Sequence, residues 1–321
     1  MIMAAACGLA LVGVDAAPAK TAALETVPLH GERYISLQKW ARAKGFTIDW
    51  EPTNRLVSVT NRWARLEFNI NSKRASINGT TVWLSSIVPA SGNTIYISER
   101  DVFKHLHPVL YPDKLPAGKR VRTIVIAPGH GGKDPGHQSN NRQEKTYALL
   151  MSKVLKETLE AAGFKVVMTR EKDIFVELED QATLARKVNA DLFIAIHYNA
   201  ALDVQAKGVE TYCLTPVGAI STNGGEPVGK SPGHASESLN ALLAYQVHKS
   251  ILQNTEFADR GIRRANFLVL RQISMPGILI EGGFLSNPYD AQKITNPVYR
   301  RKTARAITDG ILAYKRLVER K

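Results

Sequence analysis

From residue 122 onward the apolar positions alternate between two periods. RTIVIA (122–127) and DLFIAIH (191–197) are short, nearly continuous apolar runs, the pattern of strands covered on both faces. KVVMT (165–169), VETYCL (209–214), FLVLR (267–271) and GILIE (277–281) read the same way. Between the first runs, Tyr147, Leu150, Met151, Val154, Leu155, Thr158, Leu159 and Ala162 recur at helical spacing, with Gly163 placed to cap the C-terminus. The spacing predicts further helices over 178–188 and 237–253. A last helix opens at Asn296-Pro297, a side chain that caps free N–H groups followed by a residue that lacks one. Its apolar stripe includes Val298, Ala304, Ile307, Ile311, Leu312 and Val318. Strand–helix alternation of this kind predicts an α/β fold: a mostly parallel, twisted open sheet with helices on both faces, over 121–321.

Residues 25–108 follow a different pattern. Short β-type runs at 34–37, 56–60, 64–70, 75–77, 81–84 and 94–97 are broken by turn residues such as Asn78-Gly79. Two short helices fit between them, one over 37–43 closed by Gly45 and one beginning near Ser98. This predicts a small β-rich α+β domain, joined by a Pro- and Gly-containing linker over 109–120. No internal repeat is apparent. Residues 1–17 have the apolar core and small residues of a signal peptide or an N-terminal anchor, although the usual basic start is missing. Cleavage would remove Cys7 and leave Cys213 alone, so no intramolecular disulfide is expected.

Composition adds a few bounds. The chain has 321 residues and is 44% hydrophobic, enough for two domains with an ordinary core. No apolar run after the leader is long enough to span a membrane. A formal charge of +13 suggests an anionic neighbour such as a cell-envelope polymer. Nucleic acid ranks last among such partners, because basic residues are not interleaved with aromatics.

Residues suited to metal and acid–base chemistry fall at the ends of the predicted strands. His130, in APGHGG (127–132), lies just past the first strand, and Glu144 opens the helix after it. His197 and Glu281 end the strands 191–197 and 277–281. Two histidines and a carboxylate are the ligand set of a hydrolytic zinc site that keeps a fourth position for water. Sites in open α/β sheets form beyond the carboxyl ends of the strands. Each residue also has a plainer reading: a turn histidine, an acid complementing a helix dipole, a satisfied core imidazole. Glu281 is hardest to read that way, since a carboxylate at a core boundary is costly unless paired or used. His137 and His234 are rival ligands away from strand ends, and His105 and His107 read as surface residues.

As a set, GHGGKDPG (130–136 and its flank), the Glu144-Lys145 pair, VVMTR (166–170), ADLFIAIHYNA (190–200), GVETY (208–212), DRGIRRANFLVLR (259–271) and MPGILIEGGFLSNP (275–288) resemble the catalytic domain of zinc-dependent N-acetylmuramoyl-L-alanine amidases. The resemblance spans 122–318. It implies His130, Glu144 and His197 as ligands of one Zn2+ and Glu281 as the catalytic glutamate. It also implies hydrolysis of the amide between N-acetylmuramic acid and L-alanine in peptidoglycan, by an exported enzyme of the periplasm or cell wall. The alternative is a non-catalytic cell-wall binding protein on the same fold. Ala127 departs from the family, which usually has an acid there to orient the first histidine; Gln181, Arg186 and Ala195 also depart from common family residues. The N-terminal segment resembles the small domain at the N-terminus of some copper amine oxidases, through YISL, KGFTIDWEP, ASINGTTVWL and YISERDV. That resemblance implies a binding or spacer module and does not imply copper.

Overall fold

Alternation along the C-terminal strands decides how their sheet is covered. In the computed structural model, residues 24–320 are described, apart from 52, 54, 117, 119 and 140, so the leader read over 1–17 lies outside the described residues. The C-terminal part begins with β10 (Thr123–Pro128), after nine N-terminal strands given below, and continues through β13 (Lys165–Met168), β14 (Leu192–Asn199), β15 (Val209–Leu214), β16 (Asp259–Ala265) and β17 (Gly277–Phe284). The two-residue strands β11 (Gln138–Ser139) and β12 (Arg142–Gln143) form a small hairpin of their own. Ile124, Ile126, Ile194, Ile196, Ile278 and Ile280 point to one face, where they pack with residues of α4 (Glu144–Ala161), α6 (Glu237–Asn254) and α9 (Pro297–Val318). Val125, Ala127, Phe193, Ala195 and Leu279 point to the other, against α5 (Leu178–Lys187) and α7 (Leu268–Gln272). Burial on both faces explains why these strands read as continuous apolar runs. Ala127 and Ala195 share this buried cluster with Ala182 and Ala185 of α5, so Ala127 occupies a buried apolar position.

The sheet is mixed. β13, β10, β14 and β17 are parallel neighbours, β15 runs antiparallel to β17, and β16 is parallel to β15. Two expectations change. FLVLR forms a helix, α7, rather than a strand; a five-residue apolar run carries no periodicity that separates the two. The strand beside β15 is instead the charged segment DRGIRRA, whose burial alternates too irregularly to show in the sequence. Both β14 and β17 also continue past His197 and Glu281 to Asn199 and Phe284, through a β-bulge. The last helix, α9, opens at Asn296-Pro297 as expected, although Val298 of its expected apolar stripe is exposed. A further helix, α8 (Pro288–Thr295), precedes it, and Asn287 and Asn296 cap the two, each side chain accepting from two backbone N–H groups.

The N-terminal region comprises β1 (Thr26–Leu29), β2 (Glu32–Ser36), α1 (Leu37–Ala43), β3 (Thr47–Asp49), β4 (Leu56–Thr60), β5 (Arg65–Asn69), β6 (Arg74–Ile77), β7 (Thr80–Trp83), β8 (Ala90–Ser91) and β9 (Thr94–Ser98). A helical stretch follows: α2 (Glu99–Asp101), a π-helical turn Val102–Leu106, and α3 (His107–Leu110). Asn78 and Gly79 both have positive φ, 49° and 79°, as the tight hairpin joining β6 to β7 requires. β3 to β7 form an antiparallel meander, and its last strand runs alongside β16, with Val82 opposite Ile262. One eleven-stranded sheet therefore passes through both regions. Their buried apolar residues also form a single cluster.

Buried polar links cross the joint. The Asp259 carboxylate accepts from Thr81 N–H at 2.8 Å and sits 3.0 Å from His248 Nε2 of α6. His105 is buried rather than on the surface: Asp101 lies 3.0 Å from its Nδ1, and Arg264 of β16 donates to its Nε2 at 2.8 Å. His107 is half-buried, accepting from Trp40 Nε1 and stacked against the Trp40 ring. Sequence alone could not show that the turn bearing both histidines faces α6 and β16. Between α3 and β10 the chain runs along the end of α9, where Lys315 donates to Val121 O and Gly118 N–H donates to Val318 O. No helix among the described residues is long and apolar enough to cross a membrane.

Candidate metal centre

The side chains that follow the α5/α7 face of β14 and β17 past their apolar stretch are His197 and Glu281. They are opposite one another in the strand register. The loop after β10 brings in His130, and α4 begins at Glu144. The ligand atoms of His130, Glu144 and His197 lie within 4.8 Å of one another. Glu144 bridges the imidazoles, its oxygens 3.0 Å from His130 Nε2 and 2.9 Å from His197 Nδ1. It also accepts from the backbone N–H groups of His137 and Tyr198.

The loop is shaped for this approach. A Cβ at Gly129 would lie 2.4 Å from the His197 ring, and one at Gly136 would lie 2.5 Å from the His130 ring and 2.7 Å from a Glu144 oxygen. The two glycines thus leave a cradle around the three donors that any side chain would fill. Two imidazole nitrogens and a carboxylate form a donor set suited to Zn2+, whose bonds to such ligands are about 2.0–2.2 Å. The residues present fit the ion that the resemblance implies. His130 itself has φ +60°, an uncommon conformation for a side chain of this kind.

Three further groups hold the loop. The Asp134 carboxylate lies 2.7 Å from His130 Nδ1, which turns Nε2 toward Glu144. An acid therefore does orient the first histidine, from position 134 rather than 127. Arg170, buried at the end of β13, donates to the carbonyls of Pro128, Gly129 and Lys145. Lys145 Nζ donates to Gly132 O and to Asp173. The sequence offered GHGGKDPG and VVMTR as motifs without roles for Asp134 or Arg170. The four-residue offset of Asp134 from His130 is the signal that was available.

Charge in the site is unequally shared. Burial opposes ionisation of Glu144, but His130 and His197 outweigh it and hold its carboxyl far below the usual range. Burial likewise opposes a charged His130, yet Glu144 and Asp134 raise its pKa to about 9. The negative charge that holds this proton also favours a cation, which would have to displace the proton to bind. Glu281 goes the other way. Burial, then the nearby Glu144 and Glu210 carboxylates, push it well above the ordinary glutamate value. The residue is half-buried, but its Oε2 is sealed from solvent without a hydrogen-bond partner.

Glu210 of β15 pairs with Glu281 on the side away from His197. It is buried and receives hydrogen bonds from Arg260, Tyr212 and Asn199. The cost argument that singled out Glu281 applies equally to this carboxylate inside VETYCL. Among the rival ligands, His234 is consumed locally, bonded to Ser231 and to Thr215 O. His137 gives Glu144 a backbone N–H, and its side chain is outside the three-residue donor group. Cys213 is buried, and burial pushes its thiol up, which suits packing rather than attack.

Known proteins resemble this chain in sequence and fold. Residues 15–110 match the copper amine oxidase N-terminal domain. A probable cell wall amidase, LytH, from Staphylococcus saprophyticus is 35% identical over 215 residues, covering 65% of this chain and 65% of that protein. N-acetylmuramoyl-L-alanine amidase AmiC from Neisseria meningitidis is 32% identical over 220 residues, covering 61% of this chain and 53% of the relative. The chain thus spans less than two thirds of the length of these curated relatives. The crystal structure of an N-acetylmuramoyl-L-alanine amidase from Clostridium difficile 630 superposes with a TM-score of 0.52 at 36% identity, over 61% of this chain and 97% of that one. With residues 124–313, more than half of its length, matching the N-acetylmuramoyl-L-alanine amidase model, this chain belongs to the Amidase_3 family.

Proposed function

We propose that the protein is an exported, zinc-dependent peptidoglycan hydrolase that cleaves the amide between N-acetylmuramic acid and the L-alanine of the stem peptide. In this reading 121–321 is the catalytic domain and 25–108 a β-rich module built onto its sheet. The observation that carries the proposal is the row His197–Glu281 across β14 and β17, with His130 and Glu144 closing on one side of it. His130, Glu144 and His197 would hold one zinc ion. Bound there, zinc would polarise the scissile carbonyl and lower the pKa of a coordinated water to about 7.

The chain's own residues supply the rest. Asp134 fixes the ring of His130, and Arg170 holds the loop that carries it. The Glu281 carboxyl is half-buried, faces no hydrogen-bond partner at Oε2, and is a strong base once ionised. It would take the proton of the attacking water and deliver one to the leaving amine. The Asn199 amide, on the strand that carries His197, is engaged by Glu210.

The test is digestion of purified peptidoglycan with and without chelator, with products identified by mass. Stem peptides bearing a free L-alanine amine are expected, and chelation should abolish their release. Glu281→Gln should keep its zinc and lose about 10²–10⁴-fold in rate. Products cut within the glycan or the peptide would overturn the proposal.

A further inference from the structure

The row of polar side chains does not stop at Glu281. Glu210 stands opposite it on β15, and Arg260 of β16 donates from Nε to Glu210 at 2.7 Å. Arg263, on the same strand, brings its Nε within 3.4 Å of the same Glu210 oxygen. One buried carboxylate thus faces two guanidinium groups. Among the described residues, neither arginine has a second carboxylate within ion-pair distance, so two guanidinium groups share the single Glu210 carboxylate.

Both groups are held in place, and Arg260 is the more open of the two, the Arg263 side chain being 13% exposed. Arg260 lies over the Phe284 ring, with its guanidinium carbon 4.8 Å from the centroid, and its side chain is 33% exposed. Arg263 lies over the Trp83 ring at 4.9 Å and donates to Asn223 Oδ1 at 3.0 Å. Trp83 belongs to β7, in the N-terminal region, and its Nε1 donates to Arg260 O. Planar guanidinium groups fixed over aromatic rings are pre-organised for carboxylate recognition.

We propose that Arg260 and Arg263, steadied by Trp83, form a subsite that binds a free carboxylate on the peptide side of the scissile amide. This rests on the amidase reading above. In a muramoyl peptide the lactyl carboxyl is consumed in the amide and the N-acetylated sugar is neutral. The free carboxylates therefore lie on the peptide. Two strand spacings of about 4.8 Å separate β17 from β16. An extended peptide reaches about 3.5 Å per residue. The carboxylate recognised is thus within about three residues of the bond cut. The N-terminal region becomes part of the specificity apparatus through a single aromatic side chain.

The test uses two synthetic muramoyl tripeptides, identical except that one carries a free carboxylate on its peptide and the other the carboxamide. The full-length zinc enzyme should favour the acid by about tenfold or more in kcat/KM, the scale of a hydrogen-bonded charge. Arg263→Gln should bring that ratio close to one, and Trp83→Ala should lower it. Arg301→Gln, on the distant helix α9, should leave it as in the wild type. If loss of Arg263 unfolds the protein by stranding Glu210, the double variant Arg263→Gln/Glu210→Gln removes both charges and should show the same collapse of the ratio. Equal hydrolysis of both substrates by the wild type, or an unchanged ratio in Arg263→Gln, overturns the subsite alone. Hydrolysis of neither substrate overturns the amidase reading beneath it.

Discussion

Asp134 shows how much a single neighbour decides at this site. Its carboxylate fixes the tautomer and tilt of His130, and partners of that kind typically change metal affinity by about 10–100-fold. Asp134→Ala should lower zinc affinity on that scale in competition with a chromophoric chelator. Unchanged affinity would show that the φ +60° loop holds the imidazole without it. A second residue gives a pH signature. Burial, with Lys44 nearby, pushes His107 down to about 4. Burial, with Arg264 beside it, also lowers His105. The folded state therefore carries neutral imidazoles and binds fewer protons than the unfolded chain between about pH 6.5 and 4, so stability falls as pH drops through that window. His107→Gln keeps an acceptor for Trp40 and removes the titration, and its melting temperature should fall less steeply with acid than that of the wild type. Parallel slopes would assign the effect elsewhere. At this scale the sequence revealed residues whose chemistry is costly to bury, such as Glu281. It did not reveal histidines whose burial depends on a distant strand.

Elements were legible where their periodicity was long. The helix α4 and the asparagine-capped α9 could be read directly, because an apolar stripe over several turns has no competing interpretation. α7 and β16 could not, since a five-residue apolar run and a charged strand both depend on what packs over them. The strand positions that carry the site were legible for a simpler reason: a polar residue abruptly closes an apolar run, although both strands continue beyond it. The loop 129–136 adds a constraint of its own. Gly136 has φ +62° and no room for a Cβ beside His130 and Glu144. Gly136→Ala should strain the backbone and push two donors apart, giving a protein that retains its helical circular dichroism but binds zinc weakly. Tight binding in that variant would mean the loop shifts without disturbing the donors.

At the scale of the whole molecule, the sequence suggested two units and a linker, while the structure runs one sheet and one apolar cluster through both. Nothing in either segment alone signals the pairing of β7 with β16, because one strand must be read against another far along the chain. The contacts across the joint predict a single cooperative thermal transition, with calorimetric and van't Hoff enthalpies in agreement. Two resolved transitions would show that the joint is weaker than its burial implies. Asp259→Asn, which weakens the link to Thr81 and His248, should lower the melting temperature of the whole chain rather than of one part.

The pairing of β7 with β16 also has a consequence in time. Thr81 and Asp259 are 178 positions apart, so the meander is synthesised well before the strand that will cover its edge. Until then β7 presents open backbone groups, the kind of edge that invites pairing with another chain. Closing so large a loop is slow compared with forming a hairpin. Completion of this sheet is thus expected late in folding, and a newly made chain must be kept from its neighbours until its own β16 arrives.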